Sequence, residues 1–233
     1  MSFEKKISVI IPAKNEEKCL PLMIDELPKD IIKEIIVVDG HSTDRTVDAA
    51  KGLGVKVIPQ QGRGYGNAVN TGLHQASGEY ITFMDADASY DPQSLTLLKR
   101  KIEENRLDVC FCSRYLPESG SDDDTIIRYI GNRSFSLLLR FLHGVQISDA
   151  LFLYCLAKRE IFNKISISSE AFDWCVEFPI KVHHSKLKYS EIPSFERKRI
   201  AGESKVNAFT DGLQIAFTLL KLKWKISRYK NAD

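Results

Sequence analysis

The segment FMDADASYDP, residues 83–92, contains three aspartates directly after an apolar run. Asp91 precedes Pro92, and an aspartate cap followed by proline at the first helical position is a common helix start. Asp85 and Asp87 need another explanation, because residues i and i+2 of an extended chain point to the same side. When two carboxylates are held this close, their repulsion raises the pKa of one of them unless a bound cation offsets it. The spacing favours Mg²⁺ or Mn²⁺, with open positions left for a substrate's phosphates. The alternative is a solvated acidic loop, because an isolated Asp-x-Asp often occurs by chance.

Two other segments have features of nucleotide sites. Asp39 ends another apolar run, where an acidic side chain can accept hydrogen bonds from a ribose or a base. The alternative role of Asp39, a helix cap, is better filled by Ser42, Thr43 and Asp44. The glycine-rich segment GRGYGNAVNTG, residues 62–72, lacks the GxGxxG spacing and a GK[ST] sequence. We therefore interpret it as a flexible loop that leads into a helix.

Several basic and hydroxyl side chains are of types that bind phosphate oxygens. They are Arg114, Arg128, Arg133, Arg199, Ser204 and Lys205. Arg114 follows an apolar run that we interpret as a strand, and Arg128 and Arg133 frame the start of an apolar helix. The last three surround the glycine of RKRIAGESK, residues 197–205. Taken one at a time, each of the basic residues is more simply explained as a solvated charge.

The elements that must position these residues alternate along the first half of the chain. Short β-branched runs predict strands at residues 7–11, 34–38, 55–58, 80–84 and 108–112. Helical patterns lie between them, which predicts βαβ units and a mostly parallel sheet. Ligands of such sheets bind beyond the carboxyl ends of the strands. The segments PAKNEE, DGHSTD, DADASYD and SR follow four of these strands.

The later part of the chain has a different pattern. We predict helices at residues 125–143 and near 170–182, and a strand near 187–192. No internal repeat or linker separates the parts. The simplest organisation is one α/β catalytic domain over residues 1–206 with an amphipathic, basic C-terminal extension over residues 207–233.

Composition narrows the class of protein. The chain has 233 residues, 43% of them hydrophobic, and a formal net charge of +2. That charge is too small to indicate a nucleic-acid partner. The five cysteines are scattered and form no CxxC pair, which favours reduced thiols in the cytoplasm. The N-terminus does not have a signal-peptide pattern, and the apolar stretches are shorter than the roughly 20 residues that span a bilayer. We therefore expect a cytoplasmic protein, either soluble or peripheral on the membrane.

Five sequence blocks occur in order and together carry a resemblance. They are IPAKNEE, VVDGHSTDRT, GRGYGNAVNTGL, SGEYITFMDADASYDP and IAGESK. The chain resembles family 2 glycosyltransferases, most closely those that transfer mannose or glucose to polyprenyl (dolichyl) phosphate. The resemblance covers about residues 6–206. It implies an αβα sandwich similar to the nucleotide-diphosphosugar transferases (GT-A-like) and an inverting hexose transfer.

The resemblance also implies roles for individual residues. Pro12, Ala13, Glu16 and Asp39 would contact the nucleoside of the donor. Asp85, Ala86 and Asp87 would hold the donor diphosphate through Mg²⁺ or Mn²⁺, with the two aspartates as metal ligands. The catalytic set would be Asp87 with Arg114, Arg128 and Arg133, the arginines facing donor or acceptor phosphate. Arg199, Ser204 and Lys205 would close over the phosphates.

The chain departs from the family pattern at three places. Gly40 stands where relatives often have a second aspartate, and Ser89 stands where they often have glutamine. The segment DALFLY, residues 149–154, keeps only Asp149 and an aromatic residue of the usual D-x-x-S-G-F. The sequence leaves GDP-mannose, UDP-glucose and UDP-N-acetylglucosamine open as donors. It also leaves open a soluble or polysaccharide acceptor. A binding module without catalysis is disfavoured by the intact aspartates and Arg114. An NAD-dependent dehydrogenase is disfavoured because PAKNEE replaces the glycine fingerprint after the first strand.

A lipid acceptor would require contact with a membrane. The predicted helix at residues 126–142 has an apolar stripe that suits either a membrane surface or the protein core. The tail segment KLKWKISRYK alternates basic and apolar residues, a composition suited to anionic lipids or to a solvated terminus. We expect peripheral contact with the membrane surface, either unaided or through a membrane-protein partner.

Overall fold

A computed structural model describes residues 6–201 and 208–230, with side chains from residue 210 to residue 226 in the last helix. The strands in these ranges are β1 (Ile7–Ala13), β2 (Ile32–Asp39), β3 (Lys56–Pro59), β4 (Tyr80–Phe83), β5 (Val109–Ser113), β6 (Gly120–Ser121), β7 (Cys155–Lys158), β8 (Tyr189–Pro193) and β9 (Phe195–Glu196). The α-helices of the described part of the chain are α1 (Cys19–Glu26), α2 (Thr46–Gly52), α3 (Tyr65–Leu73), α4 (Gln93–Asn105), α5 (Ile126–His143), α6 (Trp174–His184) and α7 (Ala208–Lys230). A short 3₁₀ helix, Arg159–Asn163, follows β7.

Seven of these strands form one sheet in the order β3-β2-β1-β4-β7-β5-β8. All neighbouring pairs are parallel except the two that involve β7, which runs antiparallel to β4 and β5. The prediction of a mostly parallel sheet is confirmed. The direction of β7 could not be read from its apolar run, because both faces of a central strand are buried whichever way it points.

Apolar clusters on the two faces of the sheet form the core. Along β1, Val9 and Ile11 belong to the cluster under α1 and α4, whereas Ile10 belongs to the cluster under α3, α5, α6 and α7. This alternation follows from the period of two in a strand. The result is the predicted αβα sandwich, with the carboxyl ends of the parallel strands at one edge.

The predicted positions of the strands in the first half agree with the structure to within a few residues. Helix α4 begins at Gln93, and the Asp91 carboxylate accepts a hydrogen bond from its backbone N–H at 3.2 Å. Asp91 therefore has the local role that its sequence context predicts. In the polar loop after Arg114, Gly120 and Ser121 form the short strand β6, which pairs with β9.

Candidate active site

The paired aspartates lie just beyond the carboxyl end of β4. Asp85 is partly buried, and its carboxylate accepts hydrogen bonds from the hydroxyls of Tyr65 at 3.0 Å and Tyr90 at 3.3 Å. Asp87 is buried, and its carboxylate accepts a hydrogen bond from the backbone N–H of Ser89 at 3.0 Å. Burial, together with the negative charge of Asp87, raises the pKa of Asp85 from 3.8 to about 7. This local excess of negative charge is the condition under which a carboxylate pair binds a cation.

The two carboxylates fit a hard divalent ion by donor type, because Mg²⁺ and Mn²⁺ prefer oxygen ligands. Within the described residues, no cluster of three or more histidine, cysteine or acidic side chains could enclose a metal ion by itself. A metal held by these two carboxylates would have coordination positions open for water or a bound molecule. The residues that would hold it are Asp85 and Asp87.

The segment that follows β9 brings an arginine to this pair. The backbone N–H of Arg197 donates to the Ser89 carbonyl at 2.7 Å, and that of Ile200 donates to the Asp87 carbonyl at 3.4 Å. Between them, Arg199 places its guanidinium 2.9 Å from the Asp87 carboxylate. The sequence separation of these partners exceeds 100 residues, so only the fold brings them together.

Both aspartates open onto a large cleft with a volume of about 730 Å³. Its lining residues are Pro12, Ala13, Lys14, Glu16, Gly40, His41, Gln60, Gly62, Arg63, Gly64, Tyr65, Ala68, Asp85, Ala86, Asp87, Ala171, Phe172, Arg199 and Asp211. We call this the large cleft. Its size is in the range of cavities that hold a drug-sized or nucleotide-sized ligand.

The glycine-rich segment forms one wall of the large cleft, where the sequence had predicted only a flexible loop and a helix. Gly64 has φ of 94°, and a Cβ on it would lie 2.5 Å from the Glu170 carbonyl oxygen. A Cβ on Gly66 would lie 2.4 Å from the Ser169 carbonyl oxygen. Glycine is therefore required at both positions for helix α3 to start against residues 169–171. This start brings the Tyr65 hydroxyl within hydrogen-bonding distance of Asp85.

Asp39 ends β2, as its position after an apolar run predicts. Its carboxylate accepts hydrogen bonds from the backbone N–H of Ser42 at 3.2 and 3.3 Å. The next two residues, Gly40 and His41, line the large cleft. Asp39 thus lies beside the cleft and shapes the turn that borders it.

Arg114 does not line the large cleft, and its guanidinium is already paired with carboxylates of the protein. Its guanidinium makes a two-point ion pair with buried Asp149, through Nε at 2.7 Å and Nη2 at 2.9 Å. Its Nη1 donates to Glu196 at 2.9 Å. These carboxylates raise the pKa of Arg114 against the opposing effect of burial. The carboxylates of Asp149 and Glu196 occupy the guanidinium edges where the sequence interpretation placed a phosphate.

Arg128 and Arg133 also lie away from the large cleft. Arg128 pairs with Asp123 at 3.0 Å, and Arg133 donates to the Ser148 carbonyl at 3.3 Å. Arg114 instead lines a second, small pocket of about 310 Å³. The other residues that line this small pocket are Tyr115, Gly120, Ser121, Asp124, Thr125, Ile126 and Tyr129.

The structure thus brings together seven of the residues singled out in the sequence. They are Pro12, Ala13, Glu16, Asp85, Ala86, Asp87 and Arg199. Arg114, Arg128 and Arg133 do not line this cleft. Ser204 and Lys205 lie outside the described residues. Sequence reasoning missed Tyr65, Tyr90 and Arg63. The only signal for them in the sequence was their position: Arg63 and Tyr65 lie in the glycine-rich segment, and Tyr90 lies beside the aspartates.

A mostly parallel α/β sandwich with paired aspartates at the carboxyl edge of its sheet is the architecture of the GT-A class of nucleotide-sugar transferases. The model of the family described as "Glycosyl transferase family 2" matches residues 8–166. The chain belongs to glycosyl transferase family 2.

Individual relatives support this assignment. The chain is 30% identical to a dolichol-phosphate mannosyltransferase of Pyrococcus furiosus, over 96% of this chain and 66% of the relative. It is 29% identical to the low-salt glycan biosynthesis hexosyltransferase Agl6 of Haloferax volcanii, over 88% of this chain and 51% of the relative. The chain thus spans about half the length of the second of these relatives.

Solved structures agree on the fold. Glucosyl-3-phosphoglycerate synthase of Mycobacterium tuberculosis, in complex with Mn²⁺, UDP and glucosyl-3-phosphoglycerate, superposes with a TM-score of 0.75. The superposition covers 93% of this chain and 79% of the other at 21% identity. The same protein has also been solved with Mg²⁺ and UDP.

Proposed function

We propose that the chain transfers a hexose, with inversion, from a nucleoside-diphosphate sugar to a polyprenyl phosphate. GDP-mannose and UDP-glucose are the candidate donors. The observation that carries the proposal is the Asp85–Asp87 pair, held beside Arg199 at the floor of a cleft large enough for a nucleotide sugar. The similarity to a dolichol-phosphate mannosyltransferase supports the choice of acceptor.

A divalent ion, Mg²⁺ or Mn²⁺, would be held by Asp85 and Asp87 and would supply neutralisation of the charge that grows on the departing diphosphate. Pro12, Ala13, Glu16 and the turn after Asp39 would surround the nucleoside. Ala86 would let the backbone approach the phosphates closely, and Arg199 would donate to their oxygens. Tyr65 and Tyr90 hold the Asp85 carboxylate in a fixed orientation through their hydroxyls.

The acceptor chemistry determines which further groups are needed. A polyprenyl phosphate is an anion near neutral pH and can attack the sugar carbon without a general base. A hydroxyl acceptor would need a base to remove its proton. Direct attack on an α-linked donor inverts the anomeric carbon and gives a β-linked product.

A soluble acceptor is the second candidate function. It is favoured by the structural similarity to glucosyl-3-phosphoglycerate synthase. Both acceptors are compatible with the large cleft as the donor site.

An acceptor panel tests the proposal. Purified protein is incubated with Mn²⁺ and either GDP-mannose or UDP-glucose, each radiolabelled in the sugar. Each donor is offered to short-chain polyprenyl phosphate, to the matching polyprenol and to 3-phosphoglycerate. We expect transfer to polyprenyl phosphate and none to the polyprenol, which lacks the anionic nucleophile. Transfer to 3-phosphoglycerate alone would replace the proposed acceptor with the soluble one.

The proposed acceptor also requires a surface that meets the membrane. No helix within the described residues is long and apolar enough to cross a bilayer. Helices α5 and α7, however, pack against each other and expose a set of large apolar side chains. These are Ile126, Ile127, Ile130, Leu137, Phe141, Leu213, Phe217, Leu220 and Trp224. We call this set the two-helix apolar surface.

The apolar stripe predicted on α5 divides between two environments. Leu138 and Leu142 pack against the core, whereas Ile127 is 82% and Phe141 is 85% exposed. The exposed lysines Lys221 and Lys225 lie on α7 next to Trp224. An exposed apolar surface with cations beside it has the composition of helices that bind anionic lipid surfaces.

We expect the double variant Phe141→Ser/Trp224→Ser to lose most of its binding to vesicles that contain anionic lipid, because it removes two large exposed apolar side chains. Flotation with phosphatidylglycerol vesicles measures this. The matched control is Leu97→Ser on α4, which removes a 41% exposed leucine outside the two-helix apolar surface. Equal flotation of the double variant and the wild type would remove this surface from the proposal.

A further inference from the structure

The four carboxylate oxygens of Asp85 and Asp87 all have partners within the protein. The two oxygens of Asp85 accept hydrogen bonds from Tyr65 and Tyr90. One oxygen of Asp87 accepts from the Ser89 backbone N–H, and the other lies 2.9 Å from Nη2 of Arg199. Each carboxylate oxygen has two lone pairs, so a cation can bind beside a neutral hydroxyl or N–H donor, whereas a positively charged partner opposes it.

The four partners differ in how readily they can leave. Tyr90 is buried and stacks on Tyr154 with a ring-centroid distance of 4.9 Å. The Ser89 N–H belongs to a backbone segment fixed by the hydrogen bond from Arg197. Tyr65 is held at the start of α3 and packs edge-on against Phe172. The remaining partner, Arg199, carries a positive charge, and its side chain lines the large cleft.

Arg199 combines a fixed backbone with a side chain that can move. The hydrogen bond from Ile200 to the Asp87 carbonyl keeps the residue beside the aspartates. Its side chain is 22% exposed and lines the large cleft. The long arginine stem allows the guanidinium to turn into the cleft without movement of the backbone.

Charge makes that movement necessary when a metal ion binds. A divalent ion on the Asp87 oxygen would lie at about 2.1 Å from it. A guanidinium 2.9 Å from the same oxygen would then face a doubly charged cation at close range. Like charges at that separation repel strongly in a partly buried site. Inside the large cleft, the diphosphate of the donor would supply an anion that can receive the displaced guanidinium.

We propose that Arg199 exchanges partners during the reaction cycle: it neutralises Asp87 in the metal-free enzyme and pairs with the donor diphosphate once the metal ion is bound. This inference rests on the proposed function, because it takes the large cleft to be the donor site. The same side chain then opposes binding of the metal ion alone and favours binding of the metal ion together with nucleotide. This pair of opposite effects distinguishes an exchanging arginine from one that only stabilises the fold.

The test measures Mn²⁺ affinity by electron paramagnetic resonance for the wild type and Arg199→Gln, each with and without UDP or GDP. Without nucleotide, Arg199→Gln is expected to bind Mn²⁺ about tenfold more tightly, because a charged hydrogen bond no longer competes. With nucleotide, the same variant is expected to bind Mn²⁺ about tenfold more weakly, because the pairing with the diphosphate is lost.

Two matched variants separate charge from position. Arg199→Lys keeps the positive charge and is expected to remain close to the wild type in Mn²⁺ affinity without nucleotide. Arg100→Gln removes an exposed arginine on helix α4 that does not line the large cleft. It is expected to leave Mn²⁺ binding without nucleotide unchanged.

The outcomes distinguish the inference from the function on which it rests. If the wild type binds Mn²⁺ with nucleotide and Arg199→Gln binds Mn²⁺ alone no more tightly than the wild type, the exchange is wrong and the metal-dependent function stands. If the wild type fails to bind Mn²⁺ with either nucleotide, both are wrong. A variant that binds Mn²⁺ more weakly under both conditions would assign Arg199 to a purely supporting role.

Discussion

The variant Asp85→Asn is expected to lose sugar transfer by about 1,000-fold or more and to lose its thermal stabilisation by Mn²⁺ with nucleotide. Charge neutralisation by a metal ion contributes several kcal/mol to a departing anionic group, which corresponds to a rate factor of this order. Asparagine keeps the shape of the side chain but removes the negative charge and one of the two oxygens. The metal site would then retain a single carboxylate, that of Asp87.

The fold should tolerate this change, because the partners of Asp85 are hydroxyls. The hydroxyls of Tyr65 and Tyr90 now donate to the carboxylate, and a tyrosine hydroxyl can also accept a hydrogen bond from an amide. The substitution also removes a buried carboxylate and its repulsion with Asp87, and burial and this repulsion are what raise the pKa of Asp85 to about 7. We therefore expect a folded protein whose loss of activity reflects the site itself.

The measurement is the initial rate of transfer with saturating Mn²⁺, together with the unfolding midpoint with and without Mn²⁺ and nucleotide. Asp91→Asn is the matched control in the same segment. Asp91 caps helix α4 through Gln93, and asparagine is an equally good cap, so rate and midpoint should stay close to the wild type. Full metal-dependent activity in Asp85→Asn would contradict the metal site proposed at these aspartates.

Local patterns made a large part of this site predictable. The strand before the aspartates reads directly from YITFM, because a short run of β-branched and aromatic residues forms a buried strand whichever partners it finds. The position of Asp39 and Asp85 at strand ends then follows from parallel topology, which gathers carboxyl ends at one edge. Composition and spacing carry this information, and no distant contact is needed.

The partners of these residues were not predictable, because they depend on contacts between distant segments. Tyr65 reaches Asp85 only because Gly64 and Gly66 allow helix α3 to start against residues 169–171. Nothing in the glycine-rich segment alone indicates that it packs there. The position of Arg199 beside Asp87 likewise depends on the backbone pairing of residues 196–200 with the aspartate segment.

Arg114 is a residue whose partners in the structure differ from the one that its position in the sequence suggested. Its place after a strand, near the aspartates in sequence order, made a phosphate ligand the natural interpretation. The structure instead pairs it with Asp149, 35 residues away, and with Glu196, 82 residues away. A sequence reveals the type of a charged side chain but not whether a distant carboxylate will reach it first.

The buried pair between Arg114 and Asp149 leads to a second large effect, on stability. We expect Asp149→Ala to lower the free energy of unfolding by about 3–5 kcal/mol, because it leaves a buried guanidinium without its main counter-charge. The Asp149 side chain is fully buried and also accepts the backbone N–H of Arg114 at 3.1 Å. Urea denaturation followed by circular dichroism measures the change. The control is Asp25→Ala, which breaks the exposed pair with Lys29 and should cost about 0.5 kcal/mol or less.

A double variant separates the contribution of the ion pair to the free energy of unfolding from the destabilisation caused by an unpaired buried charge. Arg114→Met/Asp149→Leu removes both charges and should recover most of the stability that Asp149→Ala loses, because apolar residues of similar size can replace a buried ion pair. Glu196, the second carboxylate that pairs with Arg114, lies three residues before Arg199. The double variant should therefore fold and still bind Mn²⁺ with nucleotide more weakly than the wild type, since the segment that carries Arg199 has lost an anchor. Unchanged binding in the double variant would mean that the backbone hydrogen bonds of Arg197 and Ile200 position Arg199 by themselves.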